Sequence, residues 1–253
     1  MNRYFKLMNK PTFRFHELAS LSPSKEAAYS YLNRMVKKGY IQKIRNDLYT
    51  CANPMIHSQR VDKYTIAMEI HDDAYLTHQS AFEFMGYCNP VINTLYVAST
   101  SRFRSFFFDG ITYEHVSSKL NIGVVETHGT RYTSIERTIV DSIHDVNKIG
   151  GRESLLESLS LIESLDETAL MEILDAYGIQ SLYQKTGYLL QKHQKSLGLS
   201  DAFFEECRSK MGSSPSYFLV QESESKRYFS DWKVVSSENE SNEPLSHEVL
   251  DEG

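Results

Sequence analysis

Cysteine is scarce. Cys51, Cys88 and Cys207 are the three in 253 residues, odd in number and far apart. No CxxC pair occurs, so neither a disulfide framework nor a cysteine-built structural zinc site is expected, and buried free thiols are the plain reading. HExxH, GxSxG and a glycine-rich phosphate loop are all missing, which removes the commonest signatures of zinc hydrolases, serine hydrolases and nucleotide-binding enzymes. No run approaches the roughly 18 apolar residues of a membrane span. The opening "MNRYFKLMNK" has no apolar core of signal-peptide length. The expectation is a cytoplasmic protein without membrane contact, metal, cofactor or catalytic residues, and not an enzyme.

What is there is a folded composition, 41% hydrophobic and 12% aromatic. The net charge of −6 hides an uneven distribution. Residues 1–60 hold 11 Lys/Arg against 3 Asp/Glu, which leaves 16 against 30 for the rest. A basic end on an acidic body points to a polyanion partner for that end alone.

The basic end has an ordered pattern. "NRYFKLMN" and "FRFHELAS" read as two short helices separated by Pro11, the second facing inward with Phe15, Leu18 and Ala19. In "SPSKEAAYSYLNRMVKKGYIQKIRNDLYT", Ser22 is the expected N-cap and Pro23 the first helical residue. Ala28, Tyr31, Leu32, Met35 and Val36 fall on one helical face, with Glu26, Ser30, Asn33, Arg34 and Lys37 opposite. Gly39 supplies the stop. Two strands then flank a turn at Arg45-Asn46-Asp47. Three helices and a hairpin make a winged helix-turn-helix, expected over residues 1–56. Its third helix would enter a major groove, and Arg45 at the wing tip would reach backbone or minor groove. The expected DNA-binding residues are Ser24, Lys25, Ser30, Asn33, Arg34, Lys37, Lys43, Arg45 and Asn46. A solvated face in a protein–protein module is the plainer alternative.

Residues 57–235 are expected to form a second domain, mixed α/β to about residue 133 and mainly helical beyond it, so the fold class is α+β. Asp109-Gly110 is a strong hairpin signal, and Ser134 opens the helical part as an N-cap. Residues 216–235 are expected to give a last pair of strands. The acidic tail from 236 to 253 is expected to be disordered.

Two groupings bear on chemistry. "HDDAYLTHQS" brings His71, Asp72, Asp73 and His78 together, at a spacing that matches no defined ligand set. Arg137 and Asp141 stand one turn apart and can pair, either to anchor a helix to the sheet or to leave the Arg137 fork for a phosphate or carboxylate.

The wing "IQKIRNDLYT", through Arg45 and Tyr49, "AYLTHQSAFEFMGY", through Leu76, Thr77, His78, Ser80, Ala81 and Gly86, and "TSIERTIVDSI", through Arg137, Thr138 and Asp141, resemble in order the motifs of the AbiEi-type antitoxins and transcriptional regulators of bacterial antiviral defence. The family often carries glycine where this chain has Asn46-Asp47. The resemblance covers about residues 1–195. It implies an autorepressor that binds double-stranded operator DNA at inverted repeats. It also implies a body, marked by His78, Ser80, Arg137, Thr138 and Asp141, that neutralises a nucleotidyltransferase-like toxin, in type IV systems without a stable complex. Direct sequestration of the toxin by the acidic body, or enzyme-like chemistry around His78, Arg137 and Asp141, are the alternatives.

Overall fold

Tyr4 and Leu7 lie one turn apart and are both buried, which sets the inward side of α1 (Arg3–Met8). The computed structural model describes residues 3–52, 61–88, 93–117, 120–220 and 225–237. After α1 come α2 (Phe15–Ser20), α3 (Lys25–Lys37) and an antiparallel hairpin of β1 (Ile41–Arg45) and β2 (Leu48–Cys51). Leu7, Phe13, Leu18, Ala28, Leu32 and Ile41 close over one small apolar core.

Ser24, not Ser22, caps α3. Its backbone is extended and its Oγ accepts from Ala27 N at 3.2 Å, as an N-cap requires. Ser22 instead donates to the Leu18 carbonyl at the end of α2. Val36, expected inward, is 39% exposed, because the core beneath α3 ends at Leu32 and Met35. In the hairpin turn Asp47 takes φ 58°, a conformation that Asp tolerates better than most side chains. Its carboxylate accepts from Phe15 N at 3.0 Å and so fastens the turn to α2.

The next stretch alternates: α4 (Lys63–Met68), β3 (Tyr75–Leu76), α5 (Gln79–Met85), β4 (Thr94–Ser99), β5 (Phe106–Phe108), β6 (Ile111–Ser117), β7 (Val124–Thr127) and β8 (Thr130–Thr133). These strands form a six-stranded sheet in the order β5-β6-β4-β3-β8-β7. β4 and β6 run parallel, Thr94 beside Thr112 to Ser99 beside Ser117, and β5 returns on β6 through the Asp109-Gly110 turn. On one face Leu76, Leu95, Val97 and Tyr113 pack with Ile66 and Ala67 of α4 and with Ile44 and Leu48 from the hairpin. The hairpin therefore serves two cores. The expected boundary at 56–57 lies outside the described residues, and apolar packing continues across it. Burying Ile44 and Leu48 contributes about 1.5–3 kcal/mol each, enough to hold the hairpin against the sheet.

From Ser134 the chain is mainly helical. Ser134 Oγ accepts from Arg137 N at 3.3 Å and opens α6 (Ile135–His144). A 3₁₀ turn over Val146–Ile149 follows, then α7 (Arg152–Ser160), α8 (Glu167–Tyr177), α9 (Gln180–Gln191), α10 (Gln194–Leu197) and α11 (Asp201–Lys210). Every residue of α6 from Arg137 to Ile143 is buried, so this helix is the centre around which the others pack. The last element is a sheet of three strands rather than two: β9 (Ser216–Tyr217), β10 (Lys226–Phe229) and β11 (Val234–Ser237), in the order β10-β11-β9. Ser236 and Ser237 are buried in β11, so the tail placed from 236 cannot begin before 238, and 238–253 lie outside the described residues. Among the described residues no helix is long and apolar enough to cross a membrane.

Candidate functional site

Two places gather the residues that the sequence singled out. The first is the outer side of α3 and the hairpin. Lys25, Ser30, Asn33, Arg34 and Lys37 on α3 are exposed, as are Lys43 and Asn46 on the hairpin. Among the described residues no carboxylate pairs with Lys25, Arg34, Lys37 or Lys43. The Arg34 guanidinium rests 5.5 Å over the Tyr31 ring, which steadies it without neutralising it. Ser24 is exposed too, but its oxygen already accepts the capping bond.

Arg45 departs from the wing-tip expectation. Its guanidinium folds inward over Phe103 and Phe106, at 5.4 and 5.5 Å from the ring centroids. Among the described residues, buried Nη1 has no hydrogen-bond partner. Burial, then neighbouring Arg14, lowers its pKa. The reason is the hairpin's second core: with Ile44 and Leu48 seated against the sheet, the residue between them and the turn is drawn in beside β5.

The second place lies inside the body. α5 begins directly after β3, so Thr77 and His78 sit at the end of the strand, and α6 brings Arg137 and Asp141 to meet them. Asp141 is the hub. Its Oδ2 accepts from Thr77 Oγ1 at 2.9 Å and its Oδ1 accepts from Arg137 Nε at 2.6 Å and from the Tyr177 hydroxyl. Arg137 is 1% exposed and its Nη1 donates to the Ile122 carbonyl at 2.8 Å. Its fork is therefore engaged in holding α6 to the sheet and to the loop before β7, the anchoring role of the two considered. Burial and then the Asp141 charge raise the Tyr177 pKa, keeping that hydroxyl a donor. Ser80 and Thr138 are anchors as well. Ser80 Oγ accepts from Tyr96 N at 2.7 Å, and Thr138 Oγ1 donates to the Ser134 carbonyl at 2.7 Å.

His78 differs from these. It is 5% exposed and holds φ 52°, ψ −133°, a backbone that ordinarily favours glycine and costs about 1–3 kcal/mol. Its Nδ1 lies 3.0 Å from Thr77 Oγ1. The single Thr77 hydroxyl proton goes to Asp141, which as a carboxylate only accepts, so Nδ1 carries the hydrogen and Nε2 has the free lone pair. His78, Arg137, Asp141, His144, Lys148 and Tyr177 line a cavity of about 630 Å³. The arrangement can orient a neutral imidazole toward a polar guest.

The same burial has a measurable consequence. Burial, partly opposed by Asp141, lowers the His78 pKa to about 4, against about 6.5 in an unfolded chain. Between those values the unfolded chain takes up a proton that the folded one refuses. Stability therefore falls as pH drops through this window, by about 3 kcal/mol at its lower end. The depressed carboxylates Glu17, Glu26, Asp73, Asp145 and Asp175 begin to act near its lower end, and they do so equally in parent and variant. His71 and His193 are also lowered by burial, so the difference from His78→Asn isolates His78. Urea midpoints from pH 7.5 to 4 should decline less steeply for His78→Asn than for the parent, and equal slopes would remove His78 as the source.

The four residues of "HDDAYLTHQS" do not converge. Asp73 accepts from Thr100 N at 2.7 Å, His71 lies against Phe103, and His78 lines the cavity beside Asp141. Among the described residues no three His, Cys, Asp or Glu side chains are placed to hold a metal. Tyr177 was absent from the sequence reading because it arrives from α8, 36 residues beyond its partner Asp141, and no local pattern marks it.

No family model matches the sequence. No curated protein matches it. Among solved structures, the RV2827C protein from Mycobacterium tuberculosis superposes with a TM-score of 0.70 over 92% of this chain and 89% of that one, at 15% identity. At that identity the likeness establishes the shared fold alone.

Proposed function

We propose that the chain is a DNA-binding transcriptional regulator and the antitoxin of a toxin–antitoxin operon of the AbiEi type, its N-terminal helices and hairpin acting as a winged helix-turn-helix. The observation that carries the DNA half is the basic side of α3, where Lys25, Arg34 and Lys37 have no carboxylate partner among the described residues although Glu26 shares that side. Thirteen residues at 1.5 Å per residue give about 20 Å of helix, and its outer face holds Lys25, Ser30, Asn33, Arg34 and Lys37. These are the side-chain types that reach base edges and phosphates in a major groove. Lys43 and Asn46 extend the face onto the hairpin, whose inner side packs on the sheet through Ile44 and Leu48. The wing then contacts backbone from its exposed strand side, with Lys43 in the part first given to Arg45.

The test is fluorescence anisotropy with DNA from upstream of the gene against scrambled DNA, over a salt series. Arg34→Ala should weaken specific binding by about 1–3 kcal/mol if it reads a base. Lys43→Ala should lower the salt slope by about one. Arg45→Ala should leave that slope unchanged, since its charge is turned inward. Equal affinity for both DNAs in the parent protein sinks the reading.

The antitoxin half rests on the ordered motifs, with a nucleotidyltransferase-like toxin as the neutralised partner. Co-expression with the neighbouring reading frame tests it: growth should be restored by this chain, and continued arrest removes that half alone.

A further inference from the structure

β4 and β6 are parallel, and the crevice beyond the carboxyl ends of parallel strands is where α/β sheets collect ligands. Here that crevice is a cavity of about 900 Å³, closed on one side by the loop from Thr100 to Ser105. Arg102 and Arg104 line it with Ser105, Ser117, His115 and Phe103. No carboxylate is among the lining residues, and among the described residues neither guanidinium has an acidic partner. Asp73, beside the loop, is already committed to Thr100 N and Oγ1. His115 is fixed by donating Nε2–H to the Ser99 carbonyl at 3.2 Å. Two guanidinium forks and two serine hydroxyls facing one polar space suit adjacent phosphate groups.

Phe103 forms the floor. It is 4% exposed, and it touches the rings of His115, His71 and Phe106 and the Arg45 guanidinium. Behind it, Arg45 Nη1 and His71 Nε2 are buried polar atoms without partners among the described residues. Such atoms are rare in folded proteins and mark a place where a hydrogen-bonding group is left unsatisfied. Burial, then Arg45, lowers the His71 pKa, partly opposed by Asp73. Arg45 belongs to the hairpin that carries Lys43 and Asn46.

We propose that this cavity binds a small diphosphate-bearing molecule through Arg102 and Arg104, and that occupancy alters the DNA-facing hairpin through Phe103 and Arg45. The second clause rests on the DNA-binding reading; the first does not. A ligand can shift the hairpin only by binding its two arrangements unequally, and the shared Phe103 contact gives it the means.

The probe is inorganic pyrophosphate, titrated into the full chain by calorimetry. Saturable binding is expected. The Arg102→Gln/Arg104→Gln variant should bind at least about tenfold more weakly, because each lost guanidinium removes charge-assisted hydrogen bonds. Its melting temperature without ligand should match the parent's, as both side chains are exposed. No saturable binding, or equal binding by the variant, overturns the site. With promoter DNA present, pyrophosphate should change DNA affinity about fivefold or more in the parent, and no change overturns the coupling. If the variant loses DNA affinity while the parent ignores pyrophosphate, the two arginines are DNA-phosphate contacts and the small-molecule site is wrong. Failure of DNA binding altogether would leave the calorimetric result standing, so the two readings fail separately.

Discussion

Asp141→Ala should destabilise the protein by about 3–5 kcal/mol, the range for stripping one partner from a buried ion pair. Arg137 would keep its charge at 1% exposure without the carboxylate that pairs with its Nε. Thr77 Oγ1 and the Tyr177 hydroxyl would lose their acceptor at the same time. A typical domain has about 5–15 kcal/mol in all, so this change alone brings the protein near its threshold. Urea unfolding measures it. The informative companion is Arg137→Met/Asp141→Leu, which removes both charges and retains apolar volume. It should cost less than either Asp141→Ala or Arg137→Met alone, because no lone buried charge remains. A double variant as damaged as the two single changes added together would show that the pair is not the source of the effect.

Trp232→Ala should cost a similar amount, about 3–5 kcal/mol for loss of a large buried ring. Trp232 is the single tryptophan of the chain and is 3% exposed. It lies against Phe204, carries the Arg208 guanidinium 4.5 Å from its centroid, and donates Nε1–H to Gln191 Oε1 at 2.5 Å. The ring lies directly against Gly187 in α9. A Cβ built there would stand 2.1 Å from its Cζ3. Gly187→Ala should therefore eject or tilt the ring, at about 1–3 kcal/mol or more of overpacking, and shift the indole fluorescence toward that of exposed tryptophan. In the Trp232→Ala background the sign should reverse. The same alanine then meets no ring, and its helix propensity contributes about 0.5–1 kcal/mol over glycine. If Gly187→Ala costs the same in both backgrounds, the contact with Trp232 is not what requires glycine.

How much of this was legible beforehand follows from the range of each signal. The helices and hairpin of the first fifty residues were readable because each depends on neighbours within four or five positions: periodic apolar residues, Gly39, and the Asn46-Asp47 turn. The exact cap was missed because Ser22 and Ser24 offer the same chemistry, and only the backbone angles distinguish them. Arg137 and Asp141 were readable as a pair from their i,i+4 spacing. That the pair also holds Thr77 and Tyr177 was not, since those residues come from a strand end and a distant helix.

By itself the sequence determined the α+β order of elements, the helical character of the C-terminal region, the concentration of positive charge in the first sixty residues, and the side of α3 that faces water. All of these are local, set by periodicity, caps and charge counts. The tertiary structure alone decided that the hairpin is shared between two cores, that Arg45 turns inward, that the strained His78 borders a cavity, and that Arg102 and Arg104 meet the carboxyl ends of β4 and β6. These depend on which surfaces bury each other, and burial is non-directional and long-range in sequence. Ile44 and Leu48 look alike whether their partners lie in the hairpin's own core or in the sheet beyond. Where those two residues bury determines which cations of the hairpin remain outside.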